Sequence, residues 1–191
     1  MLMLRYLSFV LLLCMLSILP LTTYANTATW QALQEGGLVI LMRHALAPGI
    51  GDPPAFKLEV CDTQRNLSAE GRAQATSVGQ AFRDRRIPIE AVYSSRWCRA
   101  LETAERLALG AVEPTPWLDS FFRNVSEREA RTQAMRAAIL AWQGPGNLML
   151  VTHQVNITAL IGGVVPSGDM AVVRPEGQEV VVVGTLSLSR E

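Results

Sequence analysis

Short apolar runs alternate along the chain with segments whose apolar residues recur at helical spacing. Residues 38–42 and 148–151 are uninterrupted apolar runs, and a third run over residues 91–95 ends in two serines. Continuous runs of this length are typical of strands buried on both faces of a parallel sheet. The segment "EVVVVGTLSLS", residues 179–189, predicts one or two closing strands.

Helical spacing is clearest in the segment that follows Ser68. It predicts a helix over residues 68–86, with Ser68 as its N-cap and Pro88 just beyond its end. One face of this helix is apolar, and its positions keep helical spacing: Gly71, Ala75, Val78 and Phe82.

Three more helices are predicted between or after the apolar runs. One extends from about Trp97 to Ala108 and is closed by Gly110, and another begins with a capping box formed by Ser126 and Glu129. A short helix over residues 157–161 follows the last long apolar run. Strands that alternate with helices predict an α/β fold, in which helices cover both faces of the sheet.

The first 25 residues have the organisation of a secretory signal peptide. Arg5 precedes an apolar core over residues 6–19, and small residues lead up to Ala25. The apolar core is shorter than the ~20 residues of a membrane-spanning helix. We expect export and cleavage after Ala25, which leaves residues 26–191 as one periplasmic domain. The alternative is an uncleaved amino-terminal anchor.

Charge narrows the classes of partner. The chain has 17 Lys and Arg residues and 17 Asp and Glu residues, so it has neither the basic excess of a nucleic-acid-binding protein nor a polybasic membrane patch. After the leader, no segment resembles a transmembrane helix, and we expect no membrane attachment once the leader is removed.

Two cysteines remain after the leader, Cys61 and Cys98. Thiols of an exported protein meet an oxidising compartment, so we expect these two to form a disulfide. The alternative is a pair of unpaired, partly buried thiols.

The chain has only two histidines, and each directly follows a predicted strand. His44 comes after Arg43 at the end of the first strand, and His153 comes after the strand over residues 148–151. Ser95 ends another strand, and Arg99 lies in the first turn of the next helix. Since the carboxyl ends of parallel strands share one edge, we expect these side chains to converge there, beside a long loop over residues 45–66.

Two imidazoles and two guanidiniums suit phosphoryl transfer. Arg43 and Arg99 offer planar donors that match phosphate oxygens, and Ser95 and the amides that begin the Trp97 helix add further donors. A neutral His44 can attack phosphorus when one ring nitrogen is held by a hydrogen bond, with His153 as its electrostatic partner. This chemistry requires neither a metal nor an organic cofactor.

Four segments together resemble the histidine phosphatase superfamily, which includes phosphoglycerate mutases and acid phosphatases. "LMRHA" resembles its Arg-His-Gly nucleophile motif, and "LSAEGRAQA" resembles the start of one of its helices. "YSSRWCRALETA" and "LVTHQ" are similar to its arginine motif and to the strand that bears its second histidine. The resemblance implies a three-layer fold with a mixed, mostly parallel sheet, and a phosphohistidine intermediate on His44.

The sequence departs from the family at three places. Ala45 and Gln154 each replace a glycine that follows a histidine, and we expect both to narrow the pocket slightly. The family's glutamate acid is absent from "PWLDSFFRN", where Asp119 is the nearest carboxylate and is our candidate acid. Glu102 is a second candidate, although it is placed to pair with Arg106 on the helix.

The leading hypothesis is an exported phosphomonoesterase that acts on a small phosphorylated compound, such as a sugar phosphate of the envelope. The alternative from another class is a phosphate-binding module without turnover. A third is a metallohydrolase that combines the two histidines with Asp52 or Asp62. Arg65 and Arg123 flank the predicted pocket, and the sequence leaves their role open.

Overall fold

The computed structural model describes residues 21–188 of the chain. Its helices and strands follow one another as α1 (Leu21–Glu35), β1 (Val39–Arg43), α2 (Ala69–Asp84), β2 (Ile89–Ser94), α3 (Cys98–Leu107), β3 (Val112–Pro114), α4 (Arg128–Leu140), β4 (Asn147–Thr152), α5 (Gln154–Ile161), β5 (Met170–Glu176) and β6 (Glu179–Leu186). Short 3₁₀ turns lie at Cys61–Thr63, Pro116–Leu118 and Val125–Glu127.

The strands form one six-stranded sheet in the order β3-β2-β4-β1-β5-β6. Strands β1, β2, β3 and β4 pair in parallel, whereas β5 and β6 close the other side as antiparallel strands. The predicted α/β fold with a mixed, mostly parallel sheet is therefore confirmed. The central position of β1 and β4 matters most, because these are the two strands that the histidines follow.

Side chains of β1 alternate between two apolar cores, one on each face of the sheet. Ile40 and Met42 pack in a core that helices α1, α2 and α3 cover. Val39 and Leu41 pack in the opposite core against helices α4 and α5. Burial on both faces explains why β1 and β4 have no polar residue in their interiors.

Helix α2 agrees with its prediction in detail. The Ser68 side chain accepts a hydrogen bond from the backbone of Gly71, and the four predicted apolar positions are buried. Two predicted helix caps were wrong. Helix α3 ends at Leu107, close to the predicted end at about Ala108, but Ala108 in the left-handed conformation closes it rather than Gly110. Ser126 forms no capping box, because residues Val125–Glu127 form a 3₁₀ turn in which its hydroxyl bonds to Asn124.

Three elements had no counterpart in the prediction: α1, β3 and β5. Helix α1 continues across the predicted cleavage position after Ala25. Most of the predicted signal peptide, residues 1–20, lies outside the described residues. Within residues 21–188, none of the helices has the length and apolar character needed to cross a bilayer.

The long loop over residues 45–66 is fastened to the rest of the fold by a disulfide between Cys61 and Cys98. Cys98 is the first residue of α3, and its backbone N–H donates to the Gln64 side chain at 3.1 Å. The loop is therefore attached next to Arg99, at the carboxyl edge of the sheet.

Candidate active site

The four side chains that the sequence places at one sheet edge line a common pocket of about 200 Å³. Arg43 ends β1, and His44 follows it with its backbone N–H bonded to Thr152 of β4 at 2.9 Å. His153 follows β4, and Arg99 lies in the first turn of α3. The lining also contains loop and rim residues: Gly49, Ile50, Gly51, Asp52, Arg65, Trp97, Ser120, Phe122, Arg123, Gln154 and Val155.

The ring of His44 is buried and held in one orientation. Its Nδ1 lies 2.8 Å from the carbonyl oxygen of Ala45, so Nδ1 carries the hydrogen and Nε2 carries the free lone pair. The pKa of His44 is lowered to about 3, mainly by burial and next by the positive charge of Arg99. The hydrogen bond to Ala45 acts in the opposite direction, and the charges of Arg65 and Arg43 contribute less. A neutral ring with a directed lone pair is the form of histidine that can attack phosphorus.

His153 lies against His44, with ring centroids 5.4 Å apart and ring planes at 64°. Its Nε2 is 2.8 Å from the hydroxyl oxygen of Ser95, and the Trp97 ring packs edge-on against it. Burial, followed by the charge of Arg99 and the neighbouring His44, lowers the pKa of His153 well below its usual value.

Arg99 is held by a buried ion pair with Asp52. Its two terminal nitrogens donate to the two oxygens of Asp52 at 2.7 and 3.2 Å, and both side chains are about 95% buried. Asp52 also accepts from the Trp97 indole at 3.1 Å and from the backbone of Arg65 at 3.0 Å. Burial alone would raise the pKa of Asp52, but hydrogen bonds and charge from Arg99 bring it below its usual value.

Arg43 and Arg99 each have a buried side-chain donor without a partner in the described part of the chain. The Nε atoms of both side chains are buried and have no hydrogen-bond partner among the described residues. The two guanidiniums that bear these donors line one pocket, and buried donors are nearly always paired in folded proteins, so the pocket has the character of an anion site. Burial lowers the pKa of both guanidiniums, without removing their charge at neutral pH.

Arg65 and Arg123, whose role the sequence left open, both line the pocket. Arg65 donates to the backbone carbonyls of Gly51 and Ala47, so its guanidinium shapes the loop as well as the pocket. Arg123 is exposed at the rim and donates to the carbonyl of Pro53 at 3.0 Å. No feature of the sequence separated these two from ordinary surface arginines.

Asp119 does not line the pocket, and its geometry is not that of a proton donor to the substrate. It is fully buried, and its carboxylate accepts three hydrogen bonds from Arg96, at 2.8 Å from the backbone and at 2.8 and 2.6 Å from the guanidinium. Ser95, predicted to bind phosphate, is also buried and contacts His153 instead. Neither side chain lines the pocket, so this geometry gives no direct contact for the roles predicted for Asp119 and Ser95.

The second candidate acid, Glu102, is likewise engaged outside the pocket. It accepts from Arg72 at 2.7 Å and from Arg106 at 2.9 Å, so the pairing with Arg106 that the sequence allowed is present. Burial acts to raise the pKa of Glu102, but the hydrogen bonds and charges of Arg72 and Arg106 together bring it below its usual value. This carboxylate stabilises the surface between α2 and α3.

The segment "LSAEGRAQA", at the start of α2, packs against the residues that follow His44. A Cβ on Gly71 would lie 2.0 Å from the carbonyl oxygen of Leu46, so only glycine permits this approach of α2 to the residues that follow His44. Gln74 accepts from the backbone of Leu46 at 3.0 Å and donates to the carbonyl of Ser167 at 2.9 Å. The motif therefore fixes the chain just after the nucleophile.

The two substituted glycines have different consequences. Ala45 is fully buried in a small apolar cluster and does not line the pocket, so the expected narrowing at this position is wrong. Gln154 does line the pocket, and its side-chain oxygen accepts from Arg43 at 3.4 Å and from the backbone of Val165 at 3.1 Å. Gln154 thus helps to orient Arg43.

The metal hypothesis finds no ligand set within residues 21–188. No group of three or more His, Cys, Asp or Glu side chains in this part of the chain could hold a metal ion. Asp52 is paired with Arg99, and Asp62 is exposed in the 3₁₀ turn of the loop.

Comparison with known proteins places these features in a family. Residues 39–123 match the model of the histidine phosphatase superfamily (branch 1), whereas the sequence matches none of the curated proteins. The matched segment contains His44, the α2 motif and Arg99.

Solved structures share the fold at low sequence identity. The protein histidine phosphatase SixA, solved with tungstate, has a TM-score of 0.61 at 16% identity, over 80% of this chain and 98% of its own. A phosphoserine phosphatase from Entamoeba histolytica has a TM-score of 0.59 at 15% identity, over 78% and 96% of the two chains. A mycobacterial glucosyl-3-phosphoglycerate phosphatase has a TM-score of 0.56 at 18% identity, over 76% and 96%.

The family match covers the nucleophile strand and the arginine motif, and β4 with His153 completes the same fold beyond it. Residues 39–123 are therefore similar to the histidine phosphatase superfamily, and the family match together with the phosphatase structures supports a phosphatase as the class of activity.

Proposed function

We propose that the protein is a metal-independent phosphomonoester hydrolase that acts outside the cytoplasm through a phosphohistidine on His44. The substrate phosphate binds between Arg43, Arg99 and His153, and His44 Nε2 attacks phosphorus in line with the leaving oxygen. Water then hydrolyses the phosphohistidine. Binding and charge stabilisation by fixed arginines supply most of what this reaction needs.

The observation that carries the proposal is the state of His44. Its Nδ1 hydrogen is used by the Ala45 carbonyl, its ring is neutral, and it lies in a pocket whose arginines have unpaired donors. A histidine that served only to bind phosphate would be more useful as a cation. A buried neutral ring among arginines is suited to nucleophilic attack.

Export is supported by two features of different kinds. The amino-terminal segment has the organisation of a signal peptide, and a disulfide fastens the loop beside the pocket. Structural disulfides persist mainly in oxidising compartments.

A small phosphorylated substrate such as a sugar phosphate suits the pocket and its rim. Phe122 and Ile50 give the rim apolar surface, while Ser120, Gln154 and Arg123 give it hydrogen-bonding groups. A sugar ring presents both kinds of surface. Two of the similar structures are, by name, phosphatases of small phosphorylated metabolites, phosphoserine and glucosyl-3-phosphoglycerate.

The test is to trap the intermediate. The purified protein is mixed with p-nitrophenyl phosphate in the presence of a chelator, quenched in alkali within milliseconds, and measured by intact mass spectrometry. We expect one added phosphoryl group that is stable in base and labile in acid, together with released p-nitrophenol. His44→Ala should show neither, while His153→Ala should retain a slowly formed adduct on His44.

The same experiment separates the proposal from the binding-module alternative. A protein that only binds phospho-ligands would show no adduct and no product, although inorganic phosphate would still raise its melting temperature. That combination would contradict the hydrolase proposal and support a binding role.

A further inference from the structure

A phosphomonoesterase must give a proton to the leaving oxygen, and the pocket has no obvious carboxylic acid to do so. Asp52 is the one carboxylate among the residues that line the pocket. It accepts hydrogen bonds from both terminal nitrogens of Arg99, from Trp97 and from the backbone of Arg65. Four donors stabilise the charged form, so Asp52 is poorly suited to release a proton to substrate.

A second, fully buried carboxylate reaches the pocket indirectly. Asp119 Oδ1 lies 3.2 Å from the hydroxyl oxygen of Ser95, and the same hydroxyl lies 2.8 Å from Nε2 of His153. Ser95 and Asp119 have no exposed surface, and His153 is 3% exposed. Asp119 is paired with the half-exposed side chain of Arg96, so Asp119, Ser95 and His153 form a continuous chain of hydrogen bonds from this ion pair to the pocket.

The directions of these hydrogen bonds follow from the number of hydrogens available. An ionised carboxylate can only accept, so the single hydroxyl hydrogen of Ser95 points to Asp119. The Ser95 oxygen then accepts from the backbone of Trp97 and from Nε2–H of His153. The second ring nitrogen of His153, Nδ1, is left with the lone pair.

We propose that the chain of Asp119 and Ser95 makes His153 the general acid and base of the reaction, in place of a carboxylic acid in the pocket. This inference rests on the proposed hydrolase function. His153 is the catalytic residue, because its ring lines the pocket. Ser95 and Asp119 are positioning residues that fix which ring nitrogen faces the substrate and stabilise the imidazolium.

Substrate binding supplies the reason for His153 to take up a proton. In the empty pocket its charged form is opposed by burial and by the groups that face it, Arg99, His44, Arg65 and Arg131. A phosphate dianion placed among these arginines reverses the local charge, and a lone pair on Nδ1 would repel its oxygens. Asp119, through Ser95, favours the protonated ring from the other side.

The proton and electron pairs balance over two steps. In the first, the His44 Nε2 lone pair forms a bond to phosphorus, the bond to the leaving oxygen breaks, and the proton on His153 Nδ1 moves to that oxygen. In the second, water attacks phosphorus, the bond to His44 breaks, and the water proton moves to His153 Nδ1. The products are an alcohol and inorganic phosphate, and His153 is again protonated.

The test compares substrates that differ in their need for an acid. A p-nitrophenolate ion leaves readily without a proton, whereas the alkoxide of glycerol 2-phosphate does not. We expect Ser95→Ala to lower kcat/KM for glycerol 2-phosphate about 10²-fold more than for p-nitrophenyl phosphate, within the usual contribution of general acid catalysis. Asp119→Asn should show the same preference at a smaller ratio, and Ser95→Thr should restore alkyl turnover.

Ser94→Ala is the matched control. Ser94 is equally buried, and its hydroxyl donates to the backbone carbonyl of Ser95 rather than to His153. Its removal should affect the two substrates by the same factor. Circular dichroism verifies that each variant is folded, and Asp119→Asn tests the chain from its other end if Ser95→Ala fails to fold.

Two results would overturn the inference while leaving the proposed function in place. One is an equal loss on both substrates in Ser95→Ala or Asp119→Asn, which would make the chain a structural feature only. The other is a wild-type protein that forms phosphohistidine from the aryl ester but does not turn over glycerol 2-phosphate. Failure of the proposed function is a different outcome, in which the wild type forms no adduct with either ester.

Discussion

The floor of the pocket and the loop beside it are built in different ways. The floor, formed by Arg43, His44, Arg99 and His153, is set by the ends of β1 and β4 and the first turn of α3. The loop, residues 45–66, has one short 3₁₀ turn and is fastened by a disulfide and the Asp52–Arg99 pair. The reacting groups therefore lie on rigid elements, and the loop completes and shapes their surroundings.

The Asp52–Arg99 pair is the main contact between these two regions, so breaking it should have the largest effect on stability. Asp52→Ala leaves the Arg99 guanidinium buried without a counter-charge, and removal of one partner of a buried pair costs about 3–5 kcal/mol. We expect that loss in the free energy of unfolding, measured by urea titration. Asp62→Ala, an exposed carboxylate of the same loop, is the control and should change stability by less than about 0.5 kcal/mol.

An unchanged stability in Asp52→Ala would mean that water or another group replaces the carboxylate. The stability of the loop would then not depend on its ion pair with the floor. A raised affinity for inorganic phosphate in the same variant would show, in addition, that Asp52 competes with phosphate for Arg99.

The sequence predicted the floor and missed most of the loop for a physical reason. Strand ends in a parallel sheet meet at one edge, so the positions of His44 and His153 followed from two apolar runs. The contacts of Asp52 and Arg65 depend on how 22 residues with only one short 3₁₀ turn fold back onto α3, and no periodic pattern encodes that path.

The surroundings of Asp119 could not be predicted for a similar reason. The sequence indicated a carboxylate near the pocket at this position. In the structure Asp119 does lie near the pocket, but the Ser95 side chain separates it from His153. Whether a carboxylate faces the substrate or a neighbouring side chain depends on side-chain packing. The guanidinium of Arg96, an ordinary surface arginine in the sequence, decides it.

Removing the disulfide tests the second fastener of the loop. Cys61→Ala combined with Cys98→Ala should lower the free energy of unfolding by roughly 2–4 kcal/mol, since the bridge closes a segment of 37 residues. Proteolysis should then cut the loop before any other part of the domain, and kcat/KM should fall because Asp52 no longer orients Arg99 reliably.

Reduction of the wild-type protein provides the control for that variant. A reductant should reproduce the loss of stability in the wild type and have no effect on the double alanine variant. Equal stability of the oxidised and reduced wild type would mean that packing alone holds the loop, as strand pairing holds the floor.

The loss of folding stability in acid reports on the two histidines of the floor. His44 takes up a proton with a pKa of about 3 when folded, against about 6.5 when unfolded. Stability is therefore complete above about pH 6.5 and declines as the pH falls towards 3, with a slope of about 1.4 kcal/mol per pH unit for each such group. His44→Asn should reduce the slope of unfolding free energy against pH by that amount between pH 6 and 4.

The chain offers an internal check, because it has only two histidines. His153→Asn should reduce the slope by a similar amount, since burial also lowers the pKa of His153. The double variant should lose both contributions. A slope unaffected by either substitution would mean that the rings are already solvated when the pocket is empty.

The smallest expected effect is at the rim, where Arg123 is exposed and contacts the loop at Pro53 and the ring of Phe56. An exposed charge is well screened, so Arg123→Ala should raise KM about two- to fivefold at low ionic strength and leave kcat unchanged. The increase should disappear at high salt, and Arg174→Ala, an exposed arginine on β5, should leave KM unchanged. A loss in kcat would place Arg123 among the groups that act in the transition state. The rim would then take part in the reaction itself, as the floor does.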